Sequence, residues 1–324
     1  MMRPVFWCMA LCSSCLVLAV QAATTGDMTL VPVKVSAHAY YVEGELGLAS
    51  GANQGFNSNA GFVVTDDGIV VVDALGTPAL GRALIDAIRK VSSKPIKRVI
   101  VTHYHADHFY GLQSFKEIGV EVWAHQEARE YLENAEAPRR LAQRRADLFP
   151  WVDESTRIVP PDAYLQGDTE FTLGGLHFDV VYLGPAHSPE DIAVVVREDR
   201  VVFAGDIIVA GRIPFVGDAD SKRWLAAIDR LLALKPMMLV VGHGKASVDP
   251  VKDLQVTKEY LVYLRSAMGK AVADFVPFDE AFGATDWSRF SKLPAFGAAN
   301  HINAYGTYLT MERESLQSTQ PNTD

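Results

Sequence analysis

The residues best suited to chemistry lie in the segment Thr102-His-Tyr-His-Ala-Asp-His108. His103 and His105 are two positions apart at the end of an apolar strand, so both side chains can project to the same side. Three imidazoles and a carboxylate so close together are costly to bury without a partner, and a divalent metal binds both residue types. Asp107 and His108 are adjacent and diverge from the first pair, so this one segment can serve two metals.

Three further polar residues follow apolar strands directly. They are His187 in Leu183-Gly-Pro-Ala-His, Asp206 in Val201-Val-Phe-Ala-Gly-Asp, and His243 in Leu239-Val-Val-Gly-His. A single histidine or aspartate after a strand is usually a cap or a satisfied polar group. Sheets present functional groups at strand ends, where loops are free of the hydrogen-bond ladder. Ligand-type residues at several strand ends therefore indicate one shared site.

The cysteines of the chain, Cys8, Cys12 and Cys15, all lie in an apolar run near its beginning. Arg3 precedes this run, and the pattern predicts a signal peptide over residues 1–22 and a periplasmic or secreted protein. A lipoprotein signal and a retained signal anchor are the alternatives. Removal of the signal would leave no cysteine, which excludes disulfides, a cysteine nucleophile and a thiolate metal ligand.

The composition excludes several other classes of protein. The 324 residues are 49% hydrophobic and 21% charged, which is typical of a globular protein rather than a disordered one. The formal net charge of −9 argues against a nucleic-acid partner, because such binding depends on lysine and arginine neutralising phosphate. We therefore expect a small-molecule substrate and no stable membrane span after the signal is removed.

The elements that must position these residues alternate between strands and helices. Residues 61–73 form two β-rich runs around an Asp-Asp-Gly turn, which predicts a hairpin, and residues 78–91 have helical spacing. Further strands are predicted over 98–102, 120–124, near 171, and over 178–183, 192–197, 201–204 and 237–241. Further helices are predicted over 126–133, 138–149, 221–234 and 251–270. Because the strands gather in two blocks flanked by helices, we expect an α/β fold of two packed sheets covered by helices.

Two helical segments have distinctive faces. The arginines of residues 138–149 recur at helical intervals: Arg139, Arg140, Arg144 and Arg145. We interpret them as a solvated helix face rather than a phosphate-binding patch. The large apolar residues of the tail share one face: Ile302, Tyr305, Leu309 and Leu316. This face is predicted to dock on the body of a single domain over 23–324, with a core of about 30–250 and a helical tail over 251–324.

The order of these motifs carries a family resemblance. His-x-His-x-Asp-His, followed by Gly-x-x-His, Gly-Asp and Gly-His elements, resembles the metallo-β-lactamase superfamily between Gly61 and Gly244. The resemblance implies an αββα four-layer sandwich with metals in a cleft between the sheets, and Asp73 would support the site without binding metal. Three segments are similar to the quinoprotein relay system zinc metallohydrolases within it: Phe56-Asn-Ser-Asn-Ala-Gly-Phe-Val-Val-Thr65, Gly211-Arg-Ile-Pro-Phe-Val-Gly-Asp218 and Asp286-Trp-Ser-Arg-Phe290.

The resemblance also implies a ligand set. His103, His105 and His187 would hold one zinc, Asp107, His108 and His243 a second, and Asp206 would bridge the two. The expected cofactor is two zinc ions per chain, with iron as the alternative. A bridging aspartate resembles the hydroxyacylglutathione-hydrolase type of site, whereas the cysteine-containing zinc β-lactamases place a thiolate on the second metal.

The expected activity is hydrolysis of an ester, thioester or lactam by a metal-bound hydroxide, with Asp107 accepting or relaying the proton. A β-lactam is one candidate substrate, as a native or a side activity. Two alternatives remain open: a mononuclear iron oxygenase of the sulfur-dioxygenase kind, and a non-hydrolytic metal-binding accessory factor with a protein partner in a quinoprotein system.

The walls of the substrate site are expected from two loops, residues 44–59 and 207–220. The substrate contacts themselves stay unknown, and Arg212, Phe215 and His301 are the weak candidates. The other histidines, at positions 38, 125 and 177, are interpreted as structural or surface residues.

Overall fold

The computed structural model describes residues 28–217 and 219–318. The predicted signal peptide and position 218 of the Gly211–Asp218 motif lie outside these ranges. Within them, the first sheet has seven strands in chain order: β1 Val33–Lys34, β2 Ala39–Val42, β3 Ala60–Val64, β4 Ile69–Val72, β5 Ile96–Ile100, β6 Glu121–His125 and β7 Ala163–Leu165. Strands β1 to β4 pair antiparallel and β4 to β7 pair parallel.

The second sheet of the described ranges has five strands. They are β8 Thr169–Leu173, β9 Leu176–Tyr182, β10 Ile192–Val196, β11 Val201–Phe203 and β12 Met238–Val240, in the spatial order β12-β11-β10-β9-β8. Only the β11–β12 pair is parallel among these strand pairs. Strands β4 and β10 are buried along their whole length because both faces of each sheet are covered.

The helices lie outside the two sheets. They are α1 Pro78–Val91, α2 Ala106–Phe109, α3 Leu112–Glu117, α4 Ala128–Leu132, α5 Glu136–Leu148, α6 Ser221–Ala233, α7 Pro250–Asp253, α8 Gln255–Ala273, α9 Phe278–Ala284 and α10 Phe296–Ser318, with a 3₁₀ turn at Gly205–Ile207. In α1, Thr77 caps the first turn by accepting from Leu80 N at 3.1 Å, and Pro78 occupies a first-turn position that needs no N–H donor.

In the part of the chain that the structure describes, three apolar clusters follow the layers. One lies between the sheets and contains Val70 and Phe203, a second lies between the first sheet and helices such as α1, and the third lies between the second sheet and α6, α8 and α10. This is the predicted αββα arrangement. The hairpin at β3–β4 and helix α1 match the predictions, as do the strands at β9 and β10.

The predicted docking face of the tail is wrong. Its large apolar residues are exposed: Ile302 57%, Tyr305 48%, Leu309 38% and Leu316 68%. The buried face of α10 carries instead small and amide side chains: Ala299, Asn300, Asn303, Ala304 and Thr307. Small residues allow neighbouring helices to approach closely, and the amides hydrogen-bond to neighbouring groups. The buried face of α10 is therefore not the face that carries its large apolar side chains. His125 is the last residue of strand β6.

No helix in the described ranges is both long enough and apolar enough to cross a bilayer.

Candidate metal centre

The loops that follow several strands converge on one site. Asp73 follows β4, the His103 to His108 segment follows β5, and His187 follows β9. Asp206 lies in the 3₁₀ turn after β11, and His243 comes after β12. The site thus lies at one end of the two sheets, where both contribute side chains.

Among the described residues, three groups of side chains each have ligand atoms that lie within 4.8 Å of one another. They are His103 with His105 and His187, Asp107 with His108 and His243, and His103 with His108 and Asp206. The first two groups are the two triads named from the sequence. The third places Asp206 between them. One Asp206 oxygen, Oδ2, lies 3.1 Å from His243 Nε2 and 3.5 Å from His187 Nε2, and the other, Oδ1, lies 3.3 Å from His108 Nε2.

The polar atoms at the centre of this site fit a divalent metal. His103 Nε2, His108 Nε2 and Asp206 Oδ1 are buried and have no hydrogen-bond partner. Such atoms cost free energy unless something satisfies them, and imidazole and carboxylate are the donors that zinc accepts. The seven side chains therefore form a buried set that could hold metal ions.

Electrostatics favours the metal-binding protonation states at most of these groups. Burial lowers the pKa of His103 well below its usual range and lowers that of His187 to about 3, so both imidazoles are neutral. Burial alone would raise the pKa of Asp206, but His243 and His108 outweigh it and the group stays a carboxylate. His108 differs, because Asp206 and Asp73 outweigh burial and raise its pKa. The raised pKa favours the protonated imidazolium of His108, and metal binding there would displace the imidazolium proton.

Residues behind the site orient it. Asp73 Oδ2 lies 2.9 Å from His108 Nδ1, and Asp73 accepts from Thr102 N at 2.8 Å. His243 Nδ1 donates to Asn57 O at 2.5 Å. A hydrogen bond to the second ring nitrogen selects the tautomer and leaves Nε2 free to face a metal.

Two glycines, Gly205 and Gly242, are required around Asp206. A Cβ at Gly242 would lie 1.9 Å from Asp206 Oδ1, and one at Gly205 would lie 2.7 Å from Thr102 Oγ1. Gly205 also has φ +50, which favours glycine. The Gly-Asp and Gly-His pairs of the sequence thus have a steric origin.

The site opens to solvent at His105, the one exposed member of the first triad. The predicted wall from residues 44–59 does lie beside Asp107, where Asn57 Nδ2 donates to Asp107 Oδ2 at 3.3 Å and Ser58 Oγ donates to Asp107 O at 2.5 Å. Sequence reasoning placed this loop near the site but missed these two residues individually. Their Asn-Ser-Asn context was the available signal.

The three weak candidates for substrate contacts differ in exposure and in the residues that they contact. Arg212 is 2% exposed, and its Nη1 lies 3.2 Å from His243 Nδ1. Phe215 is 38% exposed and its ring lies 5.4 Å from the Arg212 guanidinium. His301 is exposed and packs against Phe278 and Phe282 of α9.

The remaining histidines lie in structural contacts. His125 stacks on Tyr182 with ring centroids 3.8 Å apart, His38 pairs with Asp199, and His177 pairs with Glu198. These positions agree with the roles interpreted from the sequence.

The sequence is similar to a known protein family and to several characterised enzymes. A family model described as the Metallo-beta-lactamase superfamily matches residues 53–243. The linear primary-alkylsulfatase of Pseudomonas sp. (strain ATCC 19151) is 24% identical over 242 residues, covering 64% of this chain and 44% of that protein. The metallo-beta-lactamase type 2 of Bacillus cereus is 27% identical over 210 residues, covering 63% of this chain and 73% of that protein. The chain therefore spans less than half the length of the alkylsulfatase.

Solved structures show the same fold. A stereoselective inverting sec-alkylsulfatase from Pseudomonas sp. has a TM-score of 0.68 at 19% identity, covering 90% of this chain and 52% of that one. A metallo-beta-lactamase from Pontibacter korlensis has a TM-score of 0.58 at 22% identity, covering 72% of this chain and 99% of that one. At these identities the likeness establishes the αββα architecture alone.

Proposed function

The chain belongs to the metallo-beta-lactamase superfamily, and on that premise we propose that it is a dinuclear zinc hydrolase of a small ester, thioester or lactam. The observation that carries the proposal is the position of Asp206 between two complete triads of ligand-type side chains. His103, His105 and His187 would hold one ion, and Asp107, His108 and His243 the other. Zinc bound there supplies a Lewis acid and lowers the pKa of water toward neutrality.

The chain's own residues then have definable tasks. Asp107 is half-buried and close in sequence to the exposed His105, and the Asn57 amide donates a hydrogen bond to its carboxylate. The carboxylate would accept or relay a proton at the open side of the site. The loop after Asp206 carries Arg212, which is buried beside His243, and Phe215, which is 38% exposed. Asp73 holds His108 and takes no direct part.

The first experiment is metal stoichiometry combined with a hydrolysis panel. Zinc near two ions per chain and turnover of a thioester, lactone or β-lactam are expected. A sulfate ester belongs in the panel because alkylsulfatases are among the similar proteins. One iron per chain would point to the oxygenase alternative, and zinc-loaded protein without turnover of any panel member would point to the accessory factor.

The variant Asp206→Ala tests the bridging assignment. It should lower zinc content and hydrolysis together, because both triads lose the carboxylate between them. The control is Asp199→Asn, a carboxylate change in the β10–β11 turn, at the opposite end of strand β11 from Asp206. Wild-type zinc content in Asp206→Ala would contradict the assignment.

Two finer parts of the proposal rest on the sequence. Export follows from the pattern of residues 1–22, and cell fractionation with N-terminal sequencing of the mature protein tests it. A place among the quinoprotein relay system metallohydrolases, with a protein partner there, follows from three short segments. Co-purification with a quinoprotein is its test.

A further inference from the structure

The segment Asn57-Ser58-Asn59 lies immediately before strand β3 and contacts two of the ligand-type residues. Ser58 Oγ donates to Asp107 O at 2.5 Å, and Asn57 Nδ2 donates to Asp107 Oδ2 at 3.3 Å. The side chains of Asn57 and Ser58 thus hold both the backbone and the carboxylate of Asp107.

Asn59 holds the loop that carries His243. Its Nδ2 donates to Val241 O at 2.8 Å and to Gly244 O at 2.7 Å. Its backbone N–H donates to Gly242 O at 2.7 Å. The loop after β12 is therefore held on both sides of His243 by one buried asparagine, which joins the first sheet to the second.

The segment also contacts His243 directly, because His243 Nδ1 donates to Asn57 O at 2.5 Å. Asp107 and His243 both belong to the second triad, and their ligand atoms Oδ2 and Nε2 lie 3.5 Å apart. Since one segment holds both residues, a shift of that segment would separate these two ligand atoms.

The first triad has a separate support. Among the described residues, no member of the 57–59 segment forms a hydrogen bond with His103, His105 or His187. Instead, Tyr104, which lies between the first two histidines, donates its N–H to Glu190 Oε1 at 2.7 Å. Glu190 follows His187 by three positions, so this contact joins the two parts of the first triad.

Close packing at Gly44 fixes the segment as well. A Cβ at position 44 would lie 2.5 Å from Ser58 O and 2.8 Å from Asn57 C, which are backbone atoms. Gly44 N also donates to Asn59 Oδ1 at 3.0 Å. A side chain at position 44 would therefore push the segment away from its present place.

We propose that Asn57, Ser58 and Asn59 are positioning residues for the second metal ion alone, and that they set its affinity without changing that of the first. The inference rests on the proposed dinuclear zinc hydrolase. It makes the second triad the site whose occupancy depends on the loop before β3. Residues that orient metal ligands change metal affinity about 10- to 100-fold.

The test is calorimetric titration of metal-free protein with zinc. The wild type should bind two ions in two steps, and Asn59→Ala should weaken only the second step, about 10- to 100-fold. Ser58→Ala removes a single hydrogen bond and should act in the same direction, so it tests the inference even where Asn59→Ala fails to fold. Gly44→Ala keeps every ligand and should also weaken the second step. Wild-type affinity at both steps in these variants would overturn the inference.

A second substitution identifies which ion is weakened. In the Asn59→Ala protein, a further His187→Ala change should weaken the remaining tight step, because His187 belongs to the first triad. A further His108→Ala change should leave that step unchanged. The opposite pattern would place the effect of Asn59 at the first ion and overturn the inference.

Asn53→Ala is the matched control, because Asn53 is another buried asparagine of the same loop. Its Oδ1 accepts from Ser50 N at 2.9 Å and from Gly55 N at 3.1 Å, so its hydrogen bonds return to the loop itself. Both zinc steps should equal those of the wild type. Equal weakening in Asn53→Ala and Asn59→Ala would reduce the effect to general disturbance of the loop and contradict the positioning role.

Nitrogen-15 NMR of the metal-free protein supplies a readout without metal or turnover. At mildly alkaline pH, the wild type should carry the His243 ring proton on Nδ1, facing Asn57 O, and His243→Gln identifies the signal. Asn59→Ala should mix the two tautomers, because the loop of His243 loses its support. An unmixed tautomer in that variant would argue against the positioning role.

The outcomes separate this inference from the proposed function. If the wild type binds two zinc ions and hydrolyses no substrate, while Asn59→Ala loses only the second ion, the hydrolase fails and the positioning role stands. If the wild type turns over a substrate with two zinc ions and Asn59→Ala keeps both affinities, the hydrolase stands and the positioning role fails.

Discussion

His108 Nδ1 lies 2.9 Å from Asp73 Oδ2, and this contact determines which nitrogen of His108 faces Asp206. The two residues are 35 positions apart: Asp73 follows β4, and His108 lies in α2 after β5, the strand that pairs with β4. Asp73 adopts φ 63, a left-handed conformation that aspartate tolerates better than most residues. The same carboxylate accepts from Thr102 N and Oγ1, so it also fixes the start of the histidine segment.

Asp73→Asn should weaken zinc binding about 10- to 100-fold, the usual loss when a residue that orients a ligand is removed. The amide keeps an acceptor for Thr102 but can present an N–H to His108 Nδ1, which disturbs the tautomer. Zinc competition against a chromogenic chelator measures the affinity. Asp199→Asn is the control and should bind zinc like the wild type; an Asp73→Asn variant with the same affinity as this control would contradict the orienting role.

Asn303→Ala should raise KM more than it changes kcat. Asn303 of α10 accepts from Val216 N at 2.7 Å and donates to Pro214 O at 2.8 Å, so it holds the loop that carries Arg212 and Phe215. The metal ligands depend on other elements and should keep their zinc. Steady-state kinetics with zinc analysis checks the effect, and a loss of zinc with unchanged KM would argue against it.

The control for Asn303 lies one residue away. Ile302 is 57% exposed on the same helix, so Ile302→Ala should change neither KM nor the free energy of unfolding. Asn303→Ala, in contrast, leaves buried N–H groups unpaired and should cost about 1–3 kcal/mol in urea unfolding.

Asp199→Asn should reduce stability near neutral pH and lose this effect in acid. Asp199 lies in the β10–β11 turn, where burial raises its pKa but hydrogen bonds from Ser36 and His38 outweigh that effect and lower the pKa. A lowered folded-state pKa stabilises the fold above the unfolded value of about 3.9, and this contribution is lost as pH falls through the folded pKa. Urea unfolding from pH 7 to pH 3 measures it. The exposed Asp67→Asn is the control, and a difference from wild type that is constant over this range would refute the linkage.

Chelation should lower the unfolding temperature of the zinc-loaded protein, and added zinc should restore it. The ligand atoms are buried and several lack a hydrogen-bond partner, so metal binds the folded state in preference to the unfolded one. Calorimetry with and without chelator measures the difference. The Asp206→Ala variant should show a smaller difference, and one as large as in the wild type would contradict the metal assignment.

The sequence by itself determined the chemical types of the site. The His-x-His-x-Asp-His spacing and the apolar runs before Asp206 and His243 are local, so they identify strand ends and ligand-type residues without knowledge of the fold. Helix α1 and the β3–β4 hairpin were likewise predictable, because their caps, turn and periodicity lie within a few residues. The steric need for Gly242 follows the same motif, although its cause became visible only beside Asp206.

Only the tertiary structure decided which residues surround those ligands. Asn57 reaches His243 across 186 positions, and Asn303 holds a loop almost 90 positions earlier. The docking face of α10 was mispredicted because its buried side is built from small and amide residues. Their contribution to stability depends on the groups that they contact in the folded protein. Local pattern reports periodicity and chemical type, whereas hydrogen bonds and charge proximity between distant segments depend on how the sheets and helices pack.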